Sequence, residues 1–306
     1  MKKEPSPRKI TPTMKKARHF ISINDLTSIE IRKIFDLAIQ LKRNPQKYSK
    51  ALKDKTLAMI FEKPSLRTRV SFEAGMTQLG GHAIYLGPND IQMGVRETPG
   101  DISRNLERMA DIIMARVFEH QKLIDLSKGT KVPVINGLSD WEHPCQAMAD
   151  ILTVLEKKTK LKGLKLAFVG DGDNNVTRSL FFLCGKLGID FVCAAPYGYG
   201  LKTGKETQDP KEAVKDADII VTDTWVSMGD ESQKKERLKV FPPYQINKKL
   251  MSYAKPNAIF MHCLPAYRGY EVTDEVIDRP QSVVFDEAEN RLHVQKAIML
   301  FLLNKD

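Results

Sequence analysis

From residue 22 the stretch SINDLTSIEIRKIFDLAIQLKRN repeats apolar residues at intervals of three and four, which predicts a helix with Asn24 or Asp25 at its cap. The period then changes. TLAMIF (56–61) is an apolar run of strand length, and SLRTRVSFEAGMTQLG (65–80) returns to helical spacing. HAIYLG, IIMARV and PVINGL read as further strands, with ISRNLERMA, KLIDLSKG and QAMADILTVLEK as helices. A charged break, KKTKLKG at 157–163, interrupts the pattern, which then restarts. KLAFVGD, FVCAAP, DIIVTDT, AIFMHCLP and SVVFDEA are predicted strands, RSLFFLCGKLG and KEAVKDA helices, and ENRLHVQKAIMLFLLN a final helix. Alternation of this kind means βαβ units. The prediction is an α/β chain of two doubly wound parallel-sheet domains, joined near residues 148–163.

In open parallel sheets ligands bind beyond the C-terminal strand ends. Six predicted strands end in reactive or polar residues: PSLRTR, Arg116, DWEHPCQ, GDGDNN, DTWVSMG and HCLPA. Packing does not call for such residues there.

Composition narrows the classes. The 306 residues are 42% hydrophobic and 28% charged, as in a globular chain, and no apolar run is long enough to cross a bilayer. The formal charge of +10 is uneven: residues 1–18 net +6 and leave +4 for the rest. That tail reads as solvated and disordered, with a short transit peptide as the alternative and Met14 as an alternative start. Beyond it no long basic stripe is interleaved with aromatics, so nucleic acid is not an expected partner; the tail alone would carry any such binding. The four cysteines, Cys145, Cys184, Cys193 and Cys263, form no CxxC pair, and the six histidines are scattered, so neither a zinc site nor a disulfide framework is expected. This suits a reducing, cytoplasmic compartment.

The strand ends carry candidate chemistry. Pro64 disfavours helix at Lys63, and Ser65 is a candidate N-cap. Arg67, Thr68 and the free N–H groups make either an anion site or a charged first turn. Arg69 suits the second reading, with Glu73 four residues on. In EHPCQ, a neutral His143 can hydrogen-bond an oxyanion and the Gln146 amide can donate to a neighbouring amide oxygen; a plain helix entry with proline at its first position is the other reading. GDGDNN holds Gly170, Gly172 and Asn175, a G-x-G without the third glycine, and FVCAAP ends without an acid for a ribose, so a nicotinamide cofactor is disfavoured. Asp223 with Ser227 is a receptor for an ammonium group, or a polar loop. Cys263 beside His262 is either inert or made reactive by cations that depress its pKa.

Taken together, the SxRTR, HPxQ, DxxxSMG and HCLP motifs, in this order from about residue 19 onward, resemble the aspartate/ornithine carbamoyltransferase family on its ornithine-using side. The resemblance implies transfer of the carbamoyl group of carbamoyl phosphate to the δ-amine of L-ornithine, giving citrulline in arginine biosynthesis or catabolism. It implies that Ser65, Arg67 and Thr68, with the Leu66 backbone, bind the phosphate, and that Arg116, His143 and Gln146 hold the carbamoyl group. Gln92 matches a residue that reaches into the neighbouring subunit's site. Asn175, Asp223, Ser227 and Met228 match the ornithine contacts. Cys263 and Leu264 match the loop near the δ-amine, and Arg291 closes on carbamoyl phosphate. Arg67, Arg116, His143 and Cys263 are the implied catalytic set. The family works as a trimer or a multiple of it, with no metal and no organic cofactor. The domains implied are 19–148 for carbamoyl phosphate, completed by a helix at 288–306 packing back on it, and 149–287 for ornithine. Two departures stand out: Leu66 where the family often has threonine, and Cys145 at a variable position.

Overall fold

The structure is a computed structural model and describes residues 17–226 and 231–305. The basic tail up to residue 16, and Ser227 and Met228, lie outside the described residues. In chain order the first half contains α1 (Ser28–Arg43), β1 (Thr56–Phe61), α2 (Leu66–Gln78), β2 (His82–Leu86), α3 (Pro88–Ile91), α4 (Pro99–Leu106), β3 (Ile112–Arg116), α5 (His120–Lys128) and β4 (Val134–Leu138). Helix α6 (Pro144–Lys158) leads out of it. The second half contains β5 (Lys165–Val169), α7 (Asn175–Leu187), β6 (Asp190–Ala194), β7 (Lys205–Thr207), α8 (Pro210–Val214) and β8 (Ile219–Thr222). It continues with α9 (Lys234–Val240), α10 (Lys248–Met251), β9 (Ile259–His262) and α11 (Asp274–Ile277), and the chain closes with α12 (Val284–Leu302).

The chain forms two parallel-sheet α/β domains, with strand orders β2-β1-β3-β4 and β7-β6-β5-β8-β9. Each order reverses direction once, between β1 and β3 in the first sheet and between β5 and β8 in the second. A crevice opens at such a switch point, where successive connections leave to opposite sides. Register then sets what meets there. Phe61 pairs with Arg116, and Thr222 pairs with His262, so the loops after those residues start side by side.

Helices α6 and α12 join the two halves. Eleven consecutive residues of α6, Pro144 to Val154, are buried, and so are thirteen of α12. A helix covered all round belongs in a core, not on a surface. One apolar cluster runs through both, from Phe61 and Phe72 on one side to Phe168 and Leu180 on the other. Helix α12 packs back on α1, α2 and α6 of the first domain.

Local chemistry sets the ends. Thr27, not Asn24 or Asp25, caps α1, in a reciprocal box with Glu30. Asp25 instead accepts from the Ile21 and Ser22 N–H groups at 2.7 and 2.9 Å and closes the preceding 3-10 turn. SVVFDEA is not a strand. Only Ser282 bridges to Phe260, and α12 already begins at Val284, with the Glu287 N–H donating to Val283 O at 2.9 Å. The β-branched run mimics a strand, but Asp286 and Glu287 fit the first turn of a helix, where negative charge is favoured.

Candidate active site

Strand β1 delivers the chain to Ser65, whose hydroxyl accepts from the Thr68 N–H at 3.3 Å and caps α2. Leu66 is 75% exposed, so its side chain takes no part in the site's interior. Arg67 is half-buried, and Thr68 is fully buried with its hydroxyl accepting from Arg291 Nη2 at 3.1 Å. Arg69 turns away: its Nε donates to Glu73 at 3.1 Å and its guanidinium lies 3.9 Å from the centre of the Tyr85 ring.

Three further groups meet Arg67. Arg116 ends β3 and is buried, with its Nε lacking a partner among the described residues. His143 precedes α6, where Pro144 takes the first helical position. Its backbone N–H donates to Ser179 Oγ at 2.9 Å, while its buried Nδ1 has no partner among the described residues. Arg291, on α12, donates through Nη1 to Gln146 Oε1 at 2.5 Å. Gln295, with its amide turned so that both ends are satisfied, accepts from Arg291 Nη2 and Nε at 2.9 and 3.1 Å.

These cations strain one another. Burial, then the charges of Arg291 and Arg67, push the Arg116 guanidinium down to about 10. Burial lowers Arg67 too, opposed by the carboxylates of Glu287 on α12 and Asp223 across the crevice. Burial, with Arg291, Arg116, Lys63 and Arg67 close by, holds the His143 imidazole neutral, well below its usual range. Desolvated guanidiniums without matching anions are costly, so the arrangement calls for an anionic ligand. The α2 N-terminus adds its dipole and free N–H groups.

Gln146 corrects one expectation. Its Nε2 is already committed, donating to Asp150 Oδ1 at 2.8 Å and to Glu287 Oε1 at 3.1 Å. The oxygen accepts from Arg291 and keeps a second lone pair for a ligand, so the residue accepts rather than donates there.

Across the crevice, Asp223 Oδ1 accepts from the Thr224 N–H at 2.7 Å and from Cys263 Sγ at 3.1 Å. The thiol is not activated by cations. Burial and the Asp223 and Glu287 carboxylates push it well above the ordinary range, because acids are its nearer charged neighbours. Leu264 has φ +55° and donates its N–H to His262 Nδ1 at 2.9 Å, which leaves Nε2 to donate to Glu271 at 3.2 Å. Asp223, His262 and Cys263 each offer an atom within 4.8 Å of the others. Both His262 nitrogens are already hydrogen-bonded, so the imidazole presents no free nitrogen to the other two. Asn175, at the start of α7, donates to Ser139 O at 2.5 Å and so ties the second sheet to the loop after β4. Gln92 stands apart from this group, exposed at the end of α3 beside a hollow of about 390 Å³ that Phe61, Gly87 and Phe118 also line.

The G-x-G stretch has another use. A Cβ on Gly172 would lie 2.7 Å from Cys193 Sγ, 2.9 Å from Leu201 N and 3.0 Å from Tyr199 O. Protein fills the space that a pyrophosphate would need.

Sequence reasoning missed Asp150 and Glu287. A signal existed: Asp150 lies four residues after Gln146, and Glu287 four before Arg291, on the same helix faces.

Comparison with known proteins agrees with this architecture. Residues 18–156 match the family model for the aspartate/ornithine carbamoyltransferase carbamoyl-P binding domain, and residues 162–302 match that for its Asp/Orn binding domain. An ornithine carbamoyltransferase of Pyrococcus abyssi is 52% identical over 306 aligned positions, covering 94% of this chain and 96% of the relative. An anabolic ornithine carbamoyltransferase of Pyrococcus furiosus is 50% identical, with 94% and 96% covered. The solved ornithine carbamoyltransferase of P. furiosus superposes with a TM-score of 0.89 at 50% identity, covering 94% of this chain and 97% of that one. The chain belongs to the aspartate/ornithine carbamoyltransferase family.

Proposed function

We propose that this chain transfers the carbamoyl group of carbamoyl phosphate to the δ-amine of L-ornithine, releasing citrulline and phosphate. The observation that carries the reading is the desolvated group of Arg67, Arg116, Arg291 and neutral His143 at the α2 N-terminus, facing Asp223 and Cys263 across the crevice. One side suits a doubly charged phosphate, the other an ammonium-bearing amino acid.

The phosphate sits on Ser65, Arg67, Thr68 and the Leu66 backbone. Arg116 and His143 hydrogen-bond the carbamoyl oxygen, and Gln146 Oε1 accepts from the carbamoyl NH₂. Asn175, Asp223, Ser227 and Met228 bind the ornithine backbone groups, and Cys263 with Leu264 borders the δ-amine. That amine is mostly protonated in water, with a pKa near ~10.4 like lysine. Desolvation beside the crevice favours the neutral form, and passing the proton by way of the Asp223 carboxylate to solvent, before the crevice closes, frees the lone pair. The nitrogen attacks the carbonyl carbon, a C–N bond forms, and the negative charge moves to the oxygen held by Arg67, Arg116 and His143. The intermediate collapses by breaking the C–O bond to phosphate, which leaves with the electron pair and takes up the proton that the attacking nitrogen gives up. Closure of the two sheets over the crevice excludes water.

We place the enzyme in the arginine-forming direction of the anabolic relative, in the cytoplasm, as a trimer with shared sites. All four cysteines are free thiols, which supports a reducing compartment. Among the described residues no helix is long and apolar enough to cross a membrane. Leu66 and Val70, one turn apart on α2, are 75% and 53% exposed, and Ile84 on β2 is 41% exposed; these apolar positions support a subunit contact.

The test is a steady-state assay with ornithine, putrescine and aspartate side by side. Citrulline from ornithine should dominate, and comparable turnover of either competitor overturns the ornithine assignment. In a thermal-shift screen carbamoyl phosphate should stabilise the protein and NAD should not.

A further inference from the structure

Gln146, Asp150 and Glu287 are each 1% exposed. Both hydrogens of the Gln146 amide go to carboxyl oxygens, one to Asp150 and one to Glu287. The other Glu287 oxygen accepts from the His262 N–H at 3.0 Å, at the end of β9. Of the four carboxyl oxygens, Asp150 Oδ2 alone has no donor among the described residues. The two carboxyls therefore converge on one amide nitrogen, and with both ionised the buried Asp150 Oδ2 would be an acceptor with nothing to accept.

We propose that Asp150 and Glu287 share a single proton, carried on Asp150 Oδ2, and that this pair positions the Gln146 amide with its oxygen toward the anion pocket. The proton turns an unsatisfied acceptor into a donor. It leaves Glu287 as the anion, with donors from Gln146, His262 and Asp150. Because Glu287 sits on α12, Asp150 on α6 and His262 on β9, the pair also ties the carbamoyl side of the crevice to the Cys263 loop. Burial raises both carboxyls, so the pair retains one proton at neutral pH. Arg291 on α12 favours ionisation of the pair. Asp223 beyond β8 opposes it. The nearby thiols of Cys184 on α7 and Cys263 are themselves held protonated. As pH rises and the pair loses its proton, a second carboxylate appears beside the pocket and binding of carbamoyl phosphate weakens.

This inference rests on the functional reading above, and two measurements separate them. The first is the pH profile of kcat/KM for carbamoyl phosphate in the wild type, Asp150→Asn and Glu287→Gln, each checked by circular dichroism. Asp150→Asn keeps a donor in place of the hydroxyl and cannot ionise, so its alkaline limb should move to higher pH with only a few-fold rise in KM. Glu287→Gln sets an NH₂ against existing donors, so KM for carbamoyl phosphate should rise at least about tenfold, with kcat less affected. An alkaline limb unchanged in Asp150→Asn, or Glu287→Gln performing as well as Asp150→Asn, overturns the proposal. The second measurement needs no substrate. The infrared spectrum of the wild type minus that of Asp150→Asn at neutral pH should contain the carbonyl stretch of a protonated carboxylic acid. In the wild type alone that band should titrate away on the alkaline side, so the readout survives a variant that fails to fold. Its absence overturns the shared proton whatever the enzyme turns over.

Discussion

Two arginines of one turn divide the work of the α2 N-terminus. Arg67 points into the crevice against Asp223, Cys263 and Glu287, while Arg69 lies outward on Tyr85 and Glu73. Arg67→Ala should lower kcat/KM by about 10²–10³ while the protein folds normally, since it removes a donor to developing charge. Arg69→Ala should leave turnover within a few-fold and cost at most ~1 kcal/mol, because an exposed pair at this spacing and one cation–π contact are worth little more. Denaturant unfolding and a steady-state assay on both variants check this; an Arg69→Ala that folds but is as inactive as Arg67→Ala would refute the division. Which arginine was which could be read from the chain, because Glu73 stands four residues beyond Arg69. The direction of the Gln146 amide could not, since it depends on Glu287, 141 residues away. Nor could the state of the Cys263 thiol, which depends on which charges the fold brings closest.

At the scale of elements, most boundaries follow local rules: Ser65 before α2, Pro144 opening α6, Asn174 capping α7 and Gly188 ending it. Where local preference erred, at SVVFDEA, a β-branched run was overruled by the helix that carries Glu287 and Arg291 into the site. The loop after β5 tests a different point. Gly172 admits the backbone of Tyr199 and Leu201, so Gly172→Ala should destabilise by about 1–3 kcal/mol through overpacking against atoms that cannot easily move. A denaturation midpoint equal to that of the wild type would mean the loop yields more readily than its contacts imply. Carbamoyl phosphate affinity should change far less than stability, because Gly172 lies on the second sheet, away from Arg67 and Arg116.

At the scale of the whole molecule, Gln92 decides whether one chain makes a complete site. It is exposed at the end of α3, and the trimer proposal assigns it to a neighbour's site. Gln92→Ala and Arg67→Ala should each be nearly inactive alone. Mixed by dissociation and reassembly, they should yield hybrid trimers with activity well above the sum of the two, because some interfaces then carry neither defect. No recovery after verified hybrid formation would mean that each site is built within one subunit. The sequence by itself determined what short-range physics controls: the alternation of strand and helix, the parallel sheets, the polar strand ends and the motifs lying on them. Those signals span a few residues and survive without knowledge of neighbours. Only the tertiary structure decided how the ends of β1 and β3 come to face those of β8 and β9, and that α6 and α12 are buried between the sheets. It also decided that two acids 137 residues apart, Asp150 and Glu287, press on one amide. Distances, desolvation and charge all depend on which surfaces meet, and no local pattern encodes that.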